Sequence, residues 1–361
     1  MQGTPKEAPR RVAVFRALQL GDMLCAVPAL RALRAAWPHA HVTLVGLPWA
    51  QAFVDRYPML VDALVVFPGA RGFPEQPETD AGLPAFYAAC RACGYDLAIQ
   101  LHGSGGVAND IVARMGAARC AGFVQPEEGA RDGCFIAWPD TLREPERYLA
   151  LMRALGIAAD DASLWFPLHE ADEREADALC ARHGIVPDRA VIVHPGAQWA
   201  SRRWPVERFA AVADALAASG LQVLLTGTQR EATLVDRVAA WMREPAVILA
   251  GRTSLGALAA LIRRVPLVVC NDTGVSHVAA AMRTHSVVVA SGSDTRRWAP
   301  GDRRRHRVLA DHPPCRPCAY AECPTGHACA RAIVPAQVLD TARGQLLAAR
   351  AEAGALHAGV S

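Results

Sequence analysis

Asp272, Thr273, Gly274 and His277 offer groups suited to gripping a sugar phosphate, in a turn that opens with Asn271. They follow a short apolar run, Leu267 to Cys270, that reads as a buried strand. They precede Val275 to Met282, which reads as a helix. A helix start leaves backbone N–H groups unpaired, and Thr273 and Gly274 let an anion approach them closely. Asp272 and His277 add polar groups that could touch a sugar or a phosphate. The same residues also suit a plain cap with a core-facing histidine, so the motif alone leaves both readings open.

Three more apolar runs end in comparable turns: His194-Pro195-Gly196-Ala197, Thr226-Gly227-Thr228 and Gly251-Arg252-Thr253-Ser254. In an open parallel sheet ligands bind beyond the carboxyl ends of the strands, and small and hydroxyl residues there suit a phosphate-bearing ligand. Taken together, Gly196, Thr226, Gly227 and Thr253 are candidate contacts. Arg202 and Arg203 precede Trp204-Pro205, and an arginine there could clamp a diphosphate through two parallel hydrogen bonds. No D-x-D pair occurs, so no metal ion bridging carboxylates to phosphates is implied. The charge of a leaving diphosphate would fall to the helix start and these arginines. In the first half, Gly21-Asp22 lies just past the first apolar run. A lone carboxylate there suits a general base that takes a proton from an attacking hydroxyl, with a plain helix cap as the competing reading.

Two further patterns carry less. His102-Gly103-Ser104-Gly105-Gly106-Val107-Ala108 holds a nominal G-x-G-x-x-A fingerprint, but late in its half and with Glu127 and Glu128 in a loop-like setting. It reads as a close-packed turn, with nicotinamide or flavin binding the lesser reading. Cys315, Cys318, Cys323 and Cys329 are closely spaced, with His312 and His327 nearby. Four thiols could hold structural zinc or iron, although the spacing matches no paired C-x2-C knuckle; free thiols on a Pro-rich surface excursion are the alternative.

These residues need a frame, and the chain alternates strands and helices. Strands are expected at 11–15, 41–46, 61–67 and 95–101, then at 190–194, 221–225, 247–250, 267–270 and 286–290. Helices are expected from Asp22, and over 48–57, 86–93, 144–155, 170–183, 206–218, 231–242, 255–264, 275–282 and 338–351. Residues 71–83 read as a surface loop and 125–140 as irregular. Such alternation predicts an α/β protein with parallel, doubly wound sheets. The pattern breaks near 157–168. The expected division is a disordered tail over 1–10, Rossmann-like domains over 11–165 and 166–335 facing a central cleft, and a C-terminal helix and tail over 336–361.

Composition agrees. The 361 residues are 52% hydrophobic and 20% charged, as in a globular protein, and the net charge of +3 argues for no nucleic-acid partner. Lys6 is the sole lysine, so arginine-for-lysine choices elsewhere carry little functional meaning. Eleven cysteines, seven of them scattered through apparent core segments and turns, fit a reducing compartment better than a disulfide framework. No signal peptide and no apolar run near ~20 residues is apparent, and a cytoplasmic location is expected.

Four segments together resemble glycosyltransferase family 9, the heptosyltransferases that use ADP-heptose in lipopolysaccharide core assembly. They are LGDMLCAVPALRALRAAWPHAHVTLVG (20–46), HPGAQWASRRWP (194–205), AGRTSLGALAALI (250–262) and NDTGVSHVAAA (271–281), in the family's order. The resemblance implies a GT-B fold and an inverting, metal-independent transfer, with no cofactor required. It implies donor binding mainly by the second domain and acceptor binding by the first. It puts the catalytic base on Asp22, phosphate contacts on Thr273 and Gly274, the sugar contact on Asp272, and the family's phosphate-binding lysine on Arg202. The implied partners are an ADP-sugar and a glycan or lipid-linked saccharide, with peripheral association at the inner membrane face. Related transferases acting on autotransporter proteins carry a cysteine-built iron site, so a protein heptosyltransferase is one alternative. A sugar-nucleotide epimerase and a non-catalytic sugar-nucleotide-binding protein are the others.

Overall fold

The computed structural model describes residues 8–76 and 79–358. The chain separates into two units, Met1–Ser163 and Leu164–Ser361. Most of the expected tail over 1–10, and residues 359–361, lie outside the described residues.

The first unit runs β1 (Arg11–Phe15), α1 (Leu20–Ala36), β2 (His41–Gly46), α2 (Gln51–Arg56), β3 (Ala63–Val66), α3 (Leu83–Cys93), β4 (Leu97–Gln100), α4 (Val107–Arg114), β5 (Cys120–Val124), β6 (Cys134–Ala137) and α5 (Glu144–Ala154). Its strands form one six-stranded sheet in the order β3-β2-β1-β4-β5-β6, parallel at every pairing. Helices on the sheet's faces explain why β1 and β2 are apolar on both sides: every residue after the first is buried in each. Phe15, Phe67, Phe73 and Phe86 meet edge to face at 5.0–5.9 Å on one side of this sheet. Such pairs add to simple burial because ring edges are positive and ring faces negative.

The second unit runs α6 (Glu170–His183), β7 (Ala190–His194), α7 (Val206–Ala218), β8 (Gln222–Leu225), α8 (Ala232–Trp241), β9 (Ala246–Ile248), α9 (Leu255–Arg264), β10 (Leu267–Asn271), α10 (Gly274–Ala281), β11 (Ser286–Val289), α11 (Thr295–Trp298), β12 (His306–Leu309), α12 (Ala328–Arg331) and α13 (Pro335–Ala358). Its sheet order, β12-β11-β10-β7-β8-β9, reproduces the first when each is counted from its own first strand. All its pairings are parallel too. Val338, Ala342 and Leu346 of α13 join Phe209, Val212 and Trp204 in the core, which ties the terminal helix to this unit.

Three expectations are corrected. The first helix begins at Leu20, with Gln19 in the extended cap position, so Asp22 lies inside the first turn. The stretch expected to be irregular contains β6, and β5 and β12 were also unforeseen. β6 and β12 are four-residue edge strands; β12 (HRVL) has no unbroken apolar run, and the apolar run of β6 (CFIA) is too short and too isolated to stand out as a strand. The helix expected from Pro48 opens with a separate 3-10 turn, Pro48–Ala50. Among the described residues no helix is long and apolar enough to cross a membrane.

Candidate functional site

In each sheet the strand order reverses beside one strand, between β1 and β4 in the first unit and between β7 and β10 in the second. A crevice opens at such a reversal, beyond the carboxyl ends of the strands.

In the first unit that crevice is built on Arg16, which is fully buried. Its guanidinium donates from Nε (2.9 Å) and Nη2 (2.5 Å) to the Asp22 carbonyl. Nη1 donates to the Leu101 carbonyl at the end of β4 and to the Tyr148 hydroxyl at 2.6 Å. Tyr148 in turn donates to Glu144, which Arg147 also meets at 3.2 Å. Burial works against the Arg16 charge, but Tyr148, Asp22 and Glu144 more than offset it. One buried cation thus fixes both the first turn of α1, with Gly21 and half-buried Asp22, and the end of β4. An acid in a first helical turn also faces the positive end of the helix dipole. A second carboxylate, Glu75, lies close enough to feel the Asp22 charge; burial pushes its carboxyl up, and Asp22 adds to that. Glu75 sits in the Pro-rich surface loop, where nothing in the sequence marked it.

The glycine-rich stretch after β4 is a turn. Gly103, Gly105 and Gly106 all have positive φ (74°, 136° and 62°), conformations that favour glycine. The start of α4 is taken by Glu128, whose Oε1 accepts from Gly106 N at 2.9 Å and whose Oε2 accepts from Asn109 at 3.2 Å. A Cβ on Gly105 would come within 2.1 Å of that carboxylate. Burial disfavours the Glu128 charge, yet hydrogen bonds from Gly106, Gln125 and Asn109 hold its carboxyl below the usual range. A protein carboxylate therefore occupies the place where a dinucleotide phosphate would sit.

In the second unit the four expected turns follow β7, β8, β9 and β10, and parallel pairing puts them along one edge of the sheet. Asn271 joins two of them. Its Nδ2 donates to the Pro195 carbonyl at 2.8 Å and its Oδ1 accepts from Trp204 N at 2.9 Å. Gly196 is pressed against Glu231, with a built Cβ only 2.2 Å from Oε1, so no larger residue fits while Glu231 stays in place. Thr226 is fully buried and pairs with His194 Nδ1 at 3.0 Å, which makes it part of the floor. Gly227 accepts from Gly251 N at 2.9 Å, and Thr253 is half-buried beside Ser254, whose hydroxyl caps α9. Asp272, Thr273 and Gly274 are half-buried at the start of α10, with Thr273 extended in the cap position. His277 lies deeper, buried with its ring 6.4 Å from Trp298.

Arg202 is partly buried, 5.7 Å over the Trp199 ring, and donates to the Cys318 carbonyl at 2.7 Å. Burial lowers its pKa, and Asp272 opposes this, which puts the two side chains in one neighbourhood. Arg203 turns back to the Ala197 carbonyl at 2.9 Å. Arg316 was not foreseen; it too feels Asp272, and its Nη2 is buried without a partner among the described residues. Glu231 and Asn271 were likewise unmarked, since their roles depend on loops distant in sequence.

The family model for glycosyltransferase family 9 (heptosyltransferase) matches residues 85–329. The chain belongs to this family. Lipopolysaccharide heptosyltransferase 2 of Salmonella typhimurium is 27% identical over 281 residues, covering 72% of this chain and 77% of the relative. A solved family 9 structure from Veillonella parvula superposes with a TM-score of 0.78 at 24% identity, covering 94% of this chain and 97% of that one. E. coli ADP-heptose lipopolysaccharide heptosyltransferase II gives 0.72 at 22% identity, covering 93% and 98%. The two matching sheets and these likenesses give the chain the GT-B plan of paired Rossmann-like domains, and family membership makes it a glycosyltransferase.

In this family 9 chain Cys315, Cys318, Cys323 and Cys329 line one cavity of about 20 Å³, together with His327 and Ser201. Among the described residues no three His, Cys, Asp or Glu side chains stand together as a metal-ligand set, so their arrangement does not carry the zinc or iron expectation. Hydrogen bonds from Thr325, with others from the backbone, lower the Cys323 thiol, whereas burial raises the Cys329 thiol. The segment is held instead through carbonyls. Cys318 N donates to Gly292 O at 2.7 Å and Ser201 N to Ala321 O at 3.0 Å, and His327 Nε2 meets Ser201 O at 2.9 Å.

Proposed function

We propose that this glycosyltransferase moves a heptose-type sugar from ADP-heptose to a saccharide acceptor of the lipopolysaccharide core, with inversion and without a catalytic metal. Asp22 takes the proton of an acceptor hydroxyl, and the oxygen attacks the anomeric carbon as the bond to ADP breaks. The second unit holds the diphosphate through Thr273, Gly274 and Arg202, with Asp272 on the sugar; Gly196, Gly227 and Thr253 line the same edge. Arg203, turned to the Ala197 carbonyl, shapes the loop. The first unit takes the acceptor.

The observation that carries this reading is the setting of Arg202. A half-buried guanidinium stands in the same neighbourhood as Asp272, at the end of β10, where the backbone N–H groups of α10 begin. Backbone donors and a fixed cation together suit a leaving diphosphate. The donor named for the E. coli relative is ADP-heptose, and the chain shares that fold over most of its length. A lipid-linked acceptor would bring the enzyme to the inner face of a membrane for catalysis.

The test is a thermal-shift screen against ADP-, GDP-, UDP- and TDP-sugars, followed by transfer to lipopolysaccharide core oligosaccharides. A ligand that binds only the folded protein raises its melting temperature. ADP-heptose should stabilise, and transfer should follow with inverted product. Stabilisation by another nucleotide sugar alone, or ADP-heptose binding without transfer to any core acceptor, would overturn the proposal.

A further inference from the structure

His102 follows β4 directly, at the strand reversal of the first unit, one residue beyond the carbonyl that Arg16 holds. Its Nδ1 accepts a hydrogen bond from Ala17 N at 3.2 Å. A backbone N–H can only donate, so Nδ1 carries no proton and the proton of the neutral ring resides on Nε2. The ring is held on both sides, 5.3 Å from Phe15 and 4.9 Å from Phe73. Its own backbone is pinned as well: buried Gln100 donates to the carbonyls of His102 (2.7 Å) and Gly103 (3.2 Å). Position, tautomer and ring plane are therefore all set. Nε2 has no hydrogen-bond partner among the described residues, and the residue is half-buried, not sealed in. Burial, with the Arg16 charge adding to it, pushes the imidazole down to about 3, so it stays neutral across the physiological range.

Arg16 and Ala17 are adjacent in sequence; one holds the Asp22 carbonyl and the other orients His102. A fixed N–H donor and a carboxylate are thus supported by the same two residues at one strand reversal. We propose that His102 is a further substrate-binding residue, donating from Nε2 to an oxygen of the acceptor saccharide while Asp22 receives the proton of the attacking hydroxyl. This rests on the acceptor being bound by the first unit. A neutral donor of this kind suits hydroxyl or carboxylate oxygens of a sugar and adds no charge that would compete with Asp22 for the proton.

Two measurements test it. Nitrogen-15 NMR of the histidine side chains at pH 7, assigned with His102→Gln, should give a neutral ring protonated on Nε2. An Nδ1–H tautomer or an imidazolium would overturn the proposal. Binding of a heptose-terminated lipopolysaccharide core oligosaccharide, measured by calorimetric titration so that no turnover is needed, should weaken roughly tenfold in His102→Phe. It should be largely restored in His102→Gln, whose amide keeps a donor at the Nε2 distance. ADP binding should be unchanged in both. Equal oligosaccharide affinity in wild type and a folded His102→Phe would overturn it, as would equal losses of oligosaccharide and ADP affinity. Oligosaccharide binding by wild type without transfer from ADP-heptose would sink the proposed reaction while leaving the His102 assignment to be decided by the same titration.

Discussion

The Arg16 guanidinium is bonded twice to the Asp22 carbonyl, through Nε at 2.9 Å and Nη2 at 2.5 Å. Removing it would leave the Asp22 and Leu101 carbonyls and the Tyr148 hydroxyl without their buried donor, and would take from Glu144 the more distant of its two cations, 4.0 Å from Nη2, with Arg147 remaining at 3.2 Å. Arg16→Met should therefore cost about 3–5 kcal/mol of stability. Urea unfolding of the two proteins measures this. A change under ~1 kcal/mol would show that the network is dispensable to the fold.

The carboxylate itself is a separate matter. Asp22→Asn keeps the size of the side chain and the first turn of α1, so the melting temperature should hold while turnover falls about 10²–10⁴-fold. Binding of ADP-heptose should be intact. Unchanged turnover in steady-state assays would remove Asp22 from the mechanism.

Arg202 is expected to act on the donor alone. Arg202→Ala removes a charged hydrogen-bond donor worth about 1.5–3 kcal/mol, so ADP-heptose affinity should drop roughly 10- to 100-fold. Arg202→Lys should recover part of this, because a point charge remains though the planar fork is lost. Calorimetric titration with ADP-heptose reads both. If alanine and lysine variants bind like wild type, the diphosphate is held elsewhere.

Acid should destabilise the second unit through His306. This ring is 3% exposed and bonded to the Ser286 hydroxyl at 2.9 Å. Burial pushes it from 6.5 down to about 4; Asp302 opposes, while Arg305, His285 and His277 assist. Between those values the unfolded chain binds a proton that the folded chain refuses, so stability rises with pH across the window and is lost as pH falls from about 6.5 to 4. The loss approaches ~3 kcal/mol. In His306→Gln the slope of unfolding free energy against pH over that window should shrink by about one proton. An unchanged slope would mean that His306 is protonated in the native state.

Much of the frame was legible because local signals agreed. Arg11–Phe15, His41–Gly46 and Ala190–His194 were readable as strands to the residue, since each is an apolar run bounded by turn or charged residues. Leu255–Arg264 was equally plain, with Ser254 accepting from Ala257 N as its cap. The edge strands β6 and β12 were not, because short, half-buried edges lack both periodicity and length. Site residues divide in the same way. The turns after β7, β8, β9 and β10 announced themselves by glycine and hydroxyl content. Asn271, Glu231, Glu75 and Arg316 did not, because each acts across tens of residues of sequence. Glu128 shows the limit well: it was visible as an acid near a glycine-rich turn, but only the fold reveals that it caps α4.

That carboxylate decides what the glycine turn of the first half can admit. A nucleotide arriving at the glycine turn of the first half would have to evict a tethered counter-ion already secured by three donors. The glycine turn is thus closed to a diphosphate by a carboxylate of its own chain. Duplicated architecture can then serve unlike guests, because one copy carries its own permanent tenant.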